Sequence, residues 1–268
     1  MSNNVIKSVF ELSDDKIGDY VSDRVIELEI SSDDTAHVLP VVQEGFISSK
    51  TEIKTSDSDE VGYCMKGIDY LDFVKYLRRD VKDYNEFALV AYTAHYVSNY
   101  FDFSISDELE DKRDEIILES SKGLKPGELP SINCLRNTKQ AVCLEHSVLM
   151  QNLLSFLGFD VKNYLMIALV QNEIKGHSVN IIDLVIDNEV KHLFYDMVGM
   201  EAYVDGEQEF AGPTVRLISD KEYDNFINGR APLTIIRRCS KKKGGVDVTF
   251  YLPKSLENLQ QMKLILNK

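Results

Sequence analysis

The feature of this 268-residue chain that most constrains its fold is a change of hydrophobic period near residue 160. Before that point, apolar residues recur every three or four positions in "IDYLDFVKYLRR", "NEFALVAYTAHYVSNYF" and "CLEHSVLMQNLLSFLGF", which is the spacing of amphipathic helices. After it, "VKNYLMIALV", "HSVNIIDLVI" and "VKHLFYDMV" are short, strand-like runs rich in β-branched residues. The sequence therefore predicts an α+β fold in which helices precede an antiparallel sheet.

The helix predicted to begin at Cys143 places a thiol in an unusual position. Gly158 suits the left-handed cap that ends this helix, and its apolar stripe predicts that it is buried. The stripe comprises Leu149, Met150, Leu153, Leu154 and Leu157. Free N–H groups and the positive end of the dipole at a helix N-terminus favour the thiolate, which is the nucleophilic form. Packing as a small apolar residue is the structural alternative.

Two candidate partners for that thiol lie in a predicted hairpin. If the turn after "HSVNIIDLVI" centres between Asp187 and Asn188, His177 and Asp196 become diagonal neighbours on one face of the sheet. A three-residue turn breaks this parity unless a bulge restores it. In the pairing, the carboxylate fixes the imidazole tautomer and the imidazole accepts the thiol proton. A satisfied polar residue and a turn former are the structural alternatives for the two.

These stretches resemble the core of the transglutaminase-like superfamily. The similarity covers about residues 85–200 and is carried by "AVCLEHSVLMQNLLSFLGFDV", "GHSVNIIDLVI" and "LFYDMV". In that family a cysteine opens a buried helix, a histidine begins the next-but-one strand, and an aspartate ends the following strand. The resemblance implies a papain-like fold with the nucleophile at Cys143, the base at His177 and the orienting acid at Asp196. "CLEHS" followed by "LGF" is also similar to the surroundings of the cysteine in arylamine N-acetyltransferases.

Other polar residues near Cys143 are weaker candidates for the chemistry. His146, one helical turn further on, would point away from an incoming acyl group, so a role on the helix face or in support of the site residues is expected. Glu145 is expected to be a first-turn acid favoured by the helix dipole. For the oxyanion hole, the Cys143 N–H and the Gln140 amide are the candidate donors. Because no metal-ligand spacing relates the cysteines and histidines, no metal or cofactor is predicted.

The charge of the chain limits its partners. With 30 Lys and Arg against 44 Asp and Glu, the net charge is −14, whereas nucleic acids and anionic membranes bind clustered positive charge. The basic cluster "RRCSKKK", residues 237–243, is interpreted as a solvated hairpin turn. The four scattered cysteines and the absence of a signal peptide predict reduced thiols and a cytoplasmic location, or export by a route without that signal.

Composition and pattern predict three zones. Residues 1–66 are rich in Ser and Asp and are expected to be a partly ordered acidic segment. Residues 67–200 form the expected catalytic core. Residues 201–268 contain the strand-like runs "PTVRLIS", "APLTIIRRC" and "VDVTFYL" and a predicted final amphipathic helix, "SLENLQQMKLILNK". Because no Pro-, Gly- or Ser-rich linker precedes it, this β-rich zone is expected to extend the same sheet. The alternative division makes residues 201–268 a second small domain.

The function expected from these residues is acyl transfer through a thioester. Cys143 would attack an amide carbonyl of a protein or peptide, and water or an amine would resolve the acyl-enzyme. Glutamine deamidation, transglutamination and amide hydrolysis all fit this chemistry. No phosphate-binding glycine loop favours coenzyme-dependent acetyl transfer. The alternatives are an N-acyltransferase and a non-catalytic module of the same fold that binds a basic partner through its acidic segment.

Overall fold

The chain forms two compact units, Met1–Ile30 with Val38–Val161, and Ser31–His37 with Lys162–Lys268. The computed structural model describes residues 26–30, 37–42, 47–51, 61–65, 67–80, 85–101, 107–125, 130–136, 138, 141–171, 173–204, 207–239 and 245–252. The predicted acidic stretch before residue 26, Gln140, the turn at 240–244 and the predicted final helix lie outside the described residues. The described elements make a mixed helical and mainly antiparallel β structure, as predicted, although four strands also precede the helices. The three predicted zones stay a prediction.

The first unit begins with four short strands. They are β1 (Ile26–Ile30), β2 (His37–Val42), β3 (Ile47–Thr51) and β4 (Val61–Met65). Their order is β2-β1-β3-β4, in which β1 pairs antiparallel with β2 and parallel with β3, and β3 pairs antiparallel with β4. The alternating run "RVIELEI" predicts a strand at β1, whereas the other three strands were not predicted.

Four α-helices follow in the described part of the first unit, and three of them occupy the stretches that the helical periodicity predicts. They are α1 (Gly67–Asp80), α2 (Glu86–Tyr100), α3 (Asp107–Ser121) and α4 (Cys143–Phe156). The side chain of Asn85 caps α2 by accepting the Ala88 N–H at 2.8 Å. Gly158 follows α4 with a φ of 90°, the left-handed conformation predicted for it. The predicted stripe of α4 is fully buried, so this core helix is confirmed.

The second unit is built on a curved antiparallel sheet. Its strands are β5 (Asp160–Val170), β6 (Glu173–Ile186), β7 (Glu189–Asp196), β10 (Thr214–Ile218), β11 (Leu233–Arg238) and β12 (Gly245–Tyr251). A separate hairpin joins β8 (Met200–Val204) to β9 (Glu207–Ala211). The order in the larger sheet is β10-β7-β6-β5-β12-β11. Residues from the predicted C-terminal zone therefore supply strands to the sheet that carries β6 and β7.

The two ends of this strand order, β10 and β11, approach each other, so that the sheet curls into a small, partly open barrel. The Gly212 N–H donates to the Arg238 carbonyl at 3.0 Å, and Ala211 forms an isolated bridge with Cys239. Side chains that point inward from the strands fill the interior. These include Val179, Ile181, Phe194, Ile235, Val248 and Phe250. A packed apolar core therefore holds the strands of this unit rigidly.

A short helix, α5 (Asp220–Ile227), was not predicted and contributes to the same core through Phe226. Ser219 accepts the Glu222 N–H at 3.3 Å, and the Glu222 carboxylate accepts the Ser219 N–H at 2.9 Å. This reciprocal capping box is the signal in the sequence that could have located α5. Among the helices that the structure describes, none combines the length and apolar character needed to cross a membrane.

Candidate functional site

Cys143 is the first residue of α4, and its thiol is partly exposed. Val142 precedes the helix in extended conformation and donates its backbone N–H to the Glu145 carboxylate at 2.8 Å. Valine has no side-chain oxygen with which to cap the first-turn N–H groups. The thiol therefore lies at the positive end of the helix dipole.

Glu145 and His146 lie in the first turn of α4 and have structural roles, as expected. Glu145 is completely buried and lies 3.7 Å from the Arg113 guanidinium of α3, in addition to capping Val142. His146 Nδ1 lies 2.9 Å from the Val142 carbonyl oxygen, and its ring packs edge-on against Phe101. Because its Nδ1 is directed at the backbone of its own helix, His146 is held as a packing residue of α4.

Replacing His146 by glutamine is expected to make folding less sensitive to acid. Burial lowers the pKa of His146 below its ordinary value of 6.5, so below that pH the unfolded chain binds a proton that the folded chain does not. The free energy of unfolding is therefore retained above pH 6.5 and falls as the pH approaches the lowered pKa. Urea unfolding at about pH 7.5 and about pH 5 measures the loss. An equal loss of unfolding free energy between the two pH values in wild type and variant would contradict this account.

The turn between β6 and β7 sets the register of the hairpin. Asp187 and Asn188 have φ angles of 53° and 64°, the conformation of a two-residue type I′ turn. The strands then pair without a bulge, so that Asn180 faces Tyr195. The predicted two-residue turn and its parity are thus confirmed, and the odd-numbered residues of β6 share a face with the even-numbered residues of β7.

His177 and Asp196 form a buried hydrogen bond on that face. His177 Nε2 lies 2.7 Å from Asp196 Oδ2, and the two side chains are 5% and 0% exposed. The other carboxylate oxygen, Oδ1, accepts the Val198 N–H at 3.1 Å. With Nε2 held by the carboxylate, Nδ1 is the ring nitrogen left to exchange a proton with another group.

Arg237 of β11 completes this buried cluster, and sequence reasoning missed it. Its side chain is fully buried, forms an ion pair with Asp196 Oδ2 and donates to the Val198 carbonyl at 3.0 Å. Its guanidinium lies over the Phe250 ring, which stacks on the His177 imidazole with centroids 6.1 Å apart. The guanidinium compensates the charge of the buried carboxylate, and the phenyl ring restricts the imidazole.

The interpretation of residues 237–243 as a solvated turn is therefore wrong for Arg237. The alternation of β11 places Leu233 and Ile235 inside and Thr234 and Ile236 outside. Arg237 follows the same alternation onto the inner face, where Asp196 supplies the charge that its burial requires. The period of two in "LTIIRR" is the sequence signal that could have found it.

A second histidine–aspartate pair lies further along the same hairpin. His192 Nδ1 is 2.7 Å from Asp183 Oδ1, and its ring stacks on Tyr223 of α5 with centroids 3.8 Å apart. Lys162 bonds both Asp183 and Tyr223, at 3.3 and 3.2 Å. These contacts attach α5 to β7. His192 is therefore a histidine paired with an aspartate in a structural role, and it serves as a control for His177.

The structure brings together two of the three predicted catalytic residues. His177 and Asp196 lie in the second unit, whereas Cys143 lies in the first, so the convergence of all three stays a prediction. Gln140, the predicted oxyanion donor, is outside the described residues. Within the described parts of the chain, no group of three or more His, Cys, Asp or Glu side chains is arranged to hold a metal ion.

No protein-family model matches the chain, and no curated protein or solved structure gives a significant match. The transglutaminase-like relationship therefore stays a prediction, carried by the residues around Cys143, His177 and Asp196.

Proposed function

We propose that the protein is a cysteine-dependent acyl-transfer enzyme with a transglutaminase-like, papain-like core. It acts in the cytoplasm on an amide of a protein or peptide, most readily a glutamine side chain. Cys143 is the nucleophile, His177 the base and Asp196 the acid that orients the base. The observation that carries this proposal is the buried 2.7 Å hydrogen bond between His177 and Asp196, on a hairpin whose register the sequence predicts.

In the proposed reaction, His177 Nδ1 takes the proton of the Cys143 thiol, and the sulfur attacks the carbonyl carbon of the amide. The tetrahedral intermediate collapses as the C–N bond breaks, and His177 gives its proton to the leaving nitrogen, which departs as ammonia or an amine. Water then attacks the thioester, with His177 as base, and releases a carboxylic acid and the thiol. Asp196 stabilises the imidazolium of His177 in each step and keeps a proton on Nε2 of that ring.

Deamidation is the favoured outcome because it needs only water as the second substrate. Transfer to an amine needs an additional acceptor pocket beside the thioester. The partly exposed thiol at the start of a rigid, buried helix supports the nucleophile assignment, since a nucleophile must be both held and reachable.

Iodoacetamide at neutral pH is expected to alkylate Cys143 well before Cys64, Cys134 and Cys239. Cys143 is partly exposed at the positive end of the α4 dipole, whereas burial and the charge of Glu209 raise the pKa of Cys239. The rates are measured by peptide mass spectrometry after timed quenching. Equal alkylation rates at all four thiols would remove the support for a catalytic cysteine.

The histidine variants separate activation from simple accessibility in this experiment. His177→Ala is expected to reduce the rate at Cys143, because the base that draws its proton is lost. His192→Ala removes a histidine that is also paired with an aspartate but anchors α5. It should leave the rate at Cys143 unchanged, and an equal reduction in both variants would indicate a general effect on folding.

A further inference from the structure

The seam between β10 and β11 is open over most of its length. At one end the Gly212 N–H donates to the Arg238 carbonyl at 3.0 Å. Further along, the Thr234 carbonyl accepts instead from the side chain of Arg216, at 3.0 Å. Gly212 precedes β10, and within Thr214–Ile218 and Leu233–Arg238 no backbone hydrogen bond joins the two strands. The two strand edges therefore face a gap, which the Arg216 side chain bridges. Unpaired backbone groups at such edges readily pair with another strand.

The gap forms a cleft of about 600 Å³ on the surface of the second unit. Its lining residues are Thr214, Val215, Arg216, Thr234, Ile235, Ile236 and Asp247. Ile236 and Val215 are 70% and 54% exposed, and Leu217 on the same edge is 49% exposed. Large apolar side chains along two open strand edges are the features of a site that accepts an added strand.

The cleft begins beside the candidate catalytic cluster. Thr214, at the start of β10, is the register partner of Asp196 on β7. Ile236, at the opposite wall, is followed directly by Arg237, whose guanidinium pairs with Asp196. A chain lying in the cleft would therefore run toward the end of the barrel that holds His177.

We propose that this cleft, which we call the β10–β11 seam, binds an extended segment of the polypeptide substrate as an added β-strand. The proposal rests on the proposed function and specifies its substrate class as an unfolded or extended stretch of protein. Backbone groups of the bound segment pair with the open strand edges, and alternate side chains contact Val215, Leu217 and Ile236. Asp247 at the rim favours a lysine or arginine in the segment.

Charge argues for a substrate segment over a second copy of this chain. Each copy carries a net charge of −14, so two copies joined edge to edge would repel each other. A short extended segment carries no such charge, and it leaves the remainder of its own protein free to extend beyond the cleft.

A binding experiment that does not require turnover tests the seam directly. The probe is an acetylated, amidated heptapeptide, Thr-Val-Gln-Val-Lys-Val-Thr, added to the Cys143→Ala protein while backbone hydrogen exchange is followed. The exchange of amides in β10 and β11 is expected to slow by roughly tenfold at saturation. The same peptide methylated on alternate backbone nitrogens keeps its side chains but loses donors, and should give no protection. Equal protection by both peptides, or by neither, would overturn strand addition.

Matched variants locate the binding site. Val215→Lys combined with Ile236→Lys is expected to weaken peptide binding by more than about tenfold, since charged residues on strand edges oppose pairing. The control is Val185→Lys combined with Val190→Lys, which replaces two valines of similar exposure, 56% and 51%, that face each other near the β6–β7 turn. The control should bind the peptide as tightly as the parent, and equal weakening in both pairs would overturn the assignment to the seam.

The outcomes distinguish failure of the seam from failure of the proposed function. Selective alkylation of Cys143 with no peptide protection would leave the enzyme standing and remove the seam. Protection with unselective alkylation would leave the seam as a peptide site and remove the enzyme. Protection of β10 and β11 that grows with protein concentration, without peptide, would assign the seam to self-association and overturn the substrate proposal.

Discussion

Replacing Cys143 by alanine is expected to abolish deamidation, with turnover falling by a factor on the order of 10⁶, as when the nucleophile of a covalent catalyst is removed. The wild-type protein should add about one dalton to a glutamine-containing protein or peptide, because an NH₂ group is replaced by OH through the thioester. Intact-mass spectrometry of a panel of glutamine-containing proteins measures the change.

The matched control for this experiment is Cys134→Ala, which removes a partly buried thiol from the same unit and should retain turnover. An amine-sized gain in mass would indicate transglutamination, and a divided chain would indicate proteolysis. Persistence of the one-dalton gain in the Cys143→Ala protein would contradict the assignment of the nucleophile. No change in any substrate, together with an unreactive Cys143, would favour the non-catalytic binding module.

Replacing Arg237 by methionine is expected to lower the free energy of unfolding by about 3–5 kcal/mol. Both side chains of the original pair are 0% exposed. The variant therefore leaves Asp196 buried without its compensating cation. The loss also removes the donor to the Val198 carbonyl. The shift in the urea midpoint at neutral pH measures the effect.

The control for the arginine variant is Arg230→Met. Arg230 is 62% exposed and pairs with Asp224 on the surface, so its loss should cost less than about 1 kcal/mol. Replacing the whole pair, as Asp196→Leu with Arg237→Met, should recover part of the stability lost in the single variant, because no uncompensated charge stays buried. Similar losses for Arg237→Met and Arg230→Met would show that burial of the ion pair has been misjudged.

Arg237 is expected to affect function by holding Asp196 and His177 in position. The guanidinium touches the acid of the proposed triad, and both it and the His177 ring contact the Phe250 ring. Arg237 is thus a positioning residue, whose removal would loosen both the carboxylate and the imidazole. This explains why a basic residue occupies a barrel interior that is otherwise largely apolar.

Local sequence determined the two elements that carry the proposed chemistry. The helix from Cys143 to Gly158 has a consistent apolar period and a glycine suited to its end, and the structure begins and ends α4 accordingly. The β6–β7 hairpin follows from two short strands joined by Asp187 and Asn188, residues that tolerate positive φ. Because a strand repeats every two residues, that turn alone was sufficient to place His177 and Asp196 on one face.

Only the tertiary structure decided what surrounds that pair. Arg237 is adjacent to Asp196 because β11 and β7 belong to one curled, partly open barrel, although 40 intervening residues include a separate hairpin and α5. In the sequence Arg237 is part of a basic run. Its charge indicated a solvated position, although the period of two in the strand indicated the inner face. The open seam between β10 and β11 likewise depends on which strands end the sheet order. Local pattern fixes periods and turns, whereas pairing between distant strands, and the burial of charge that pairing permits, depends on contacts that no single stretch of sequence contains.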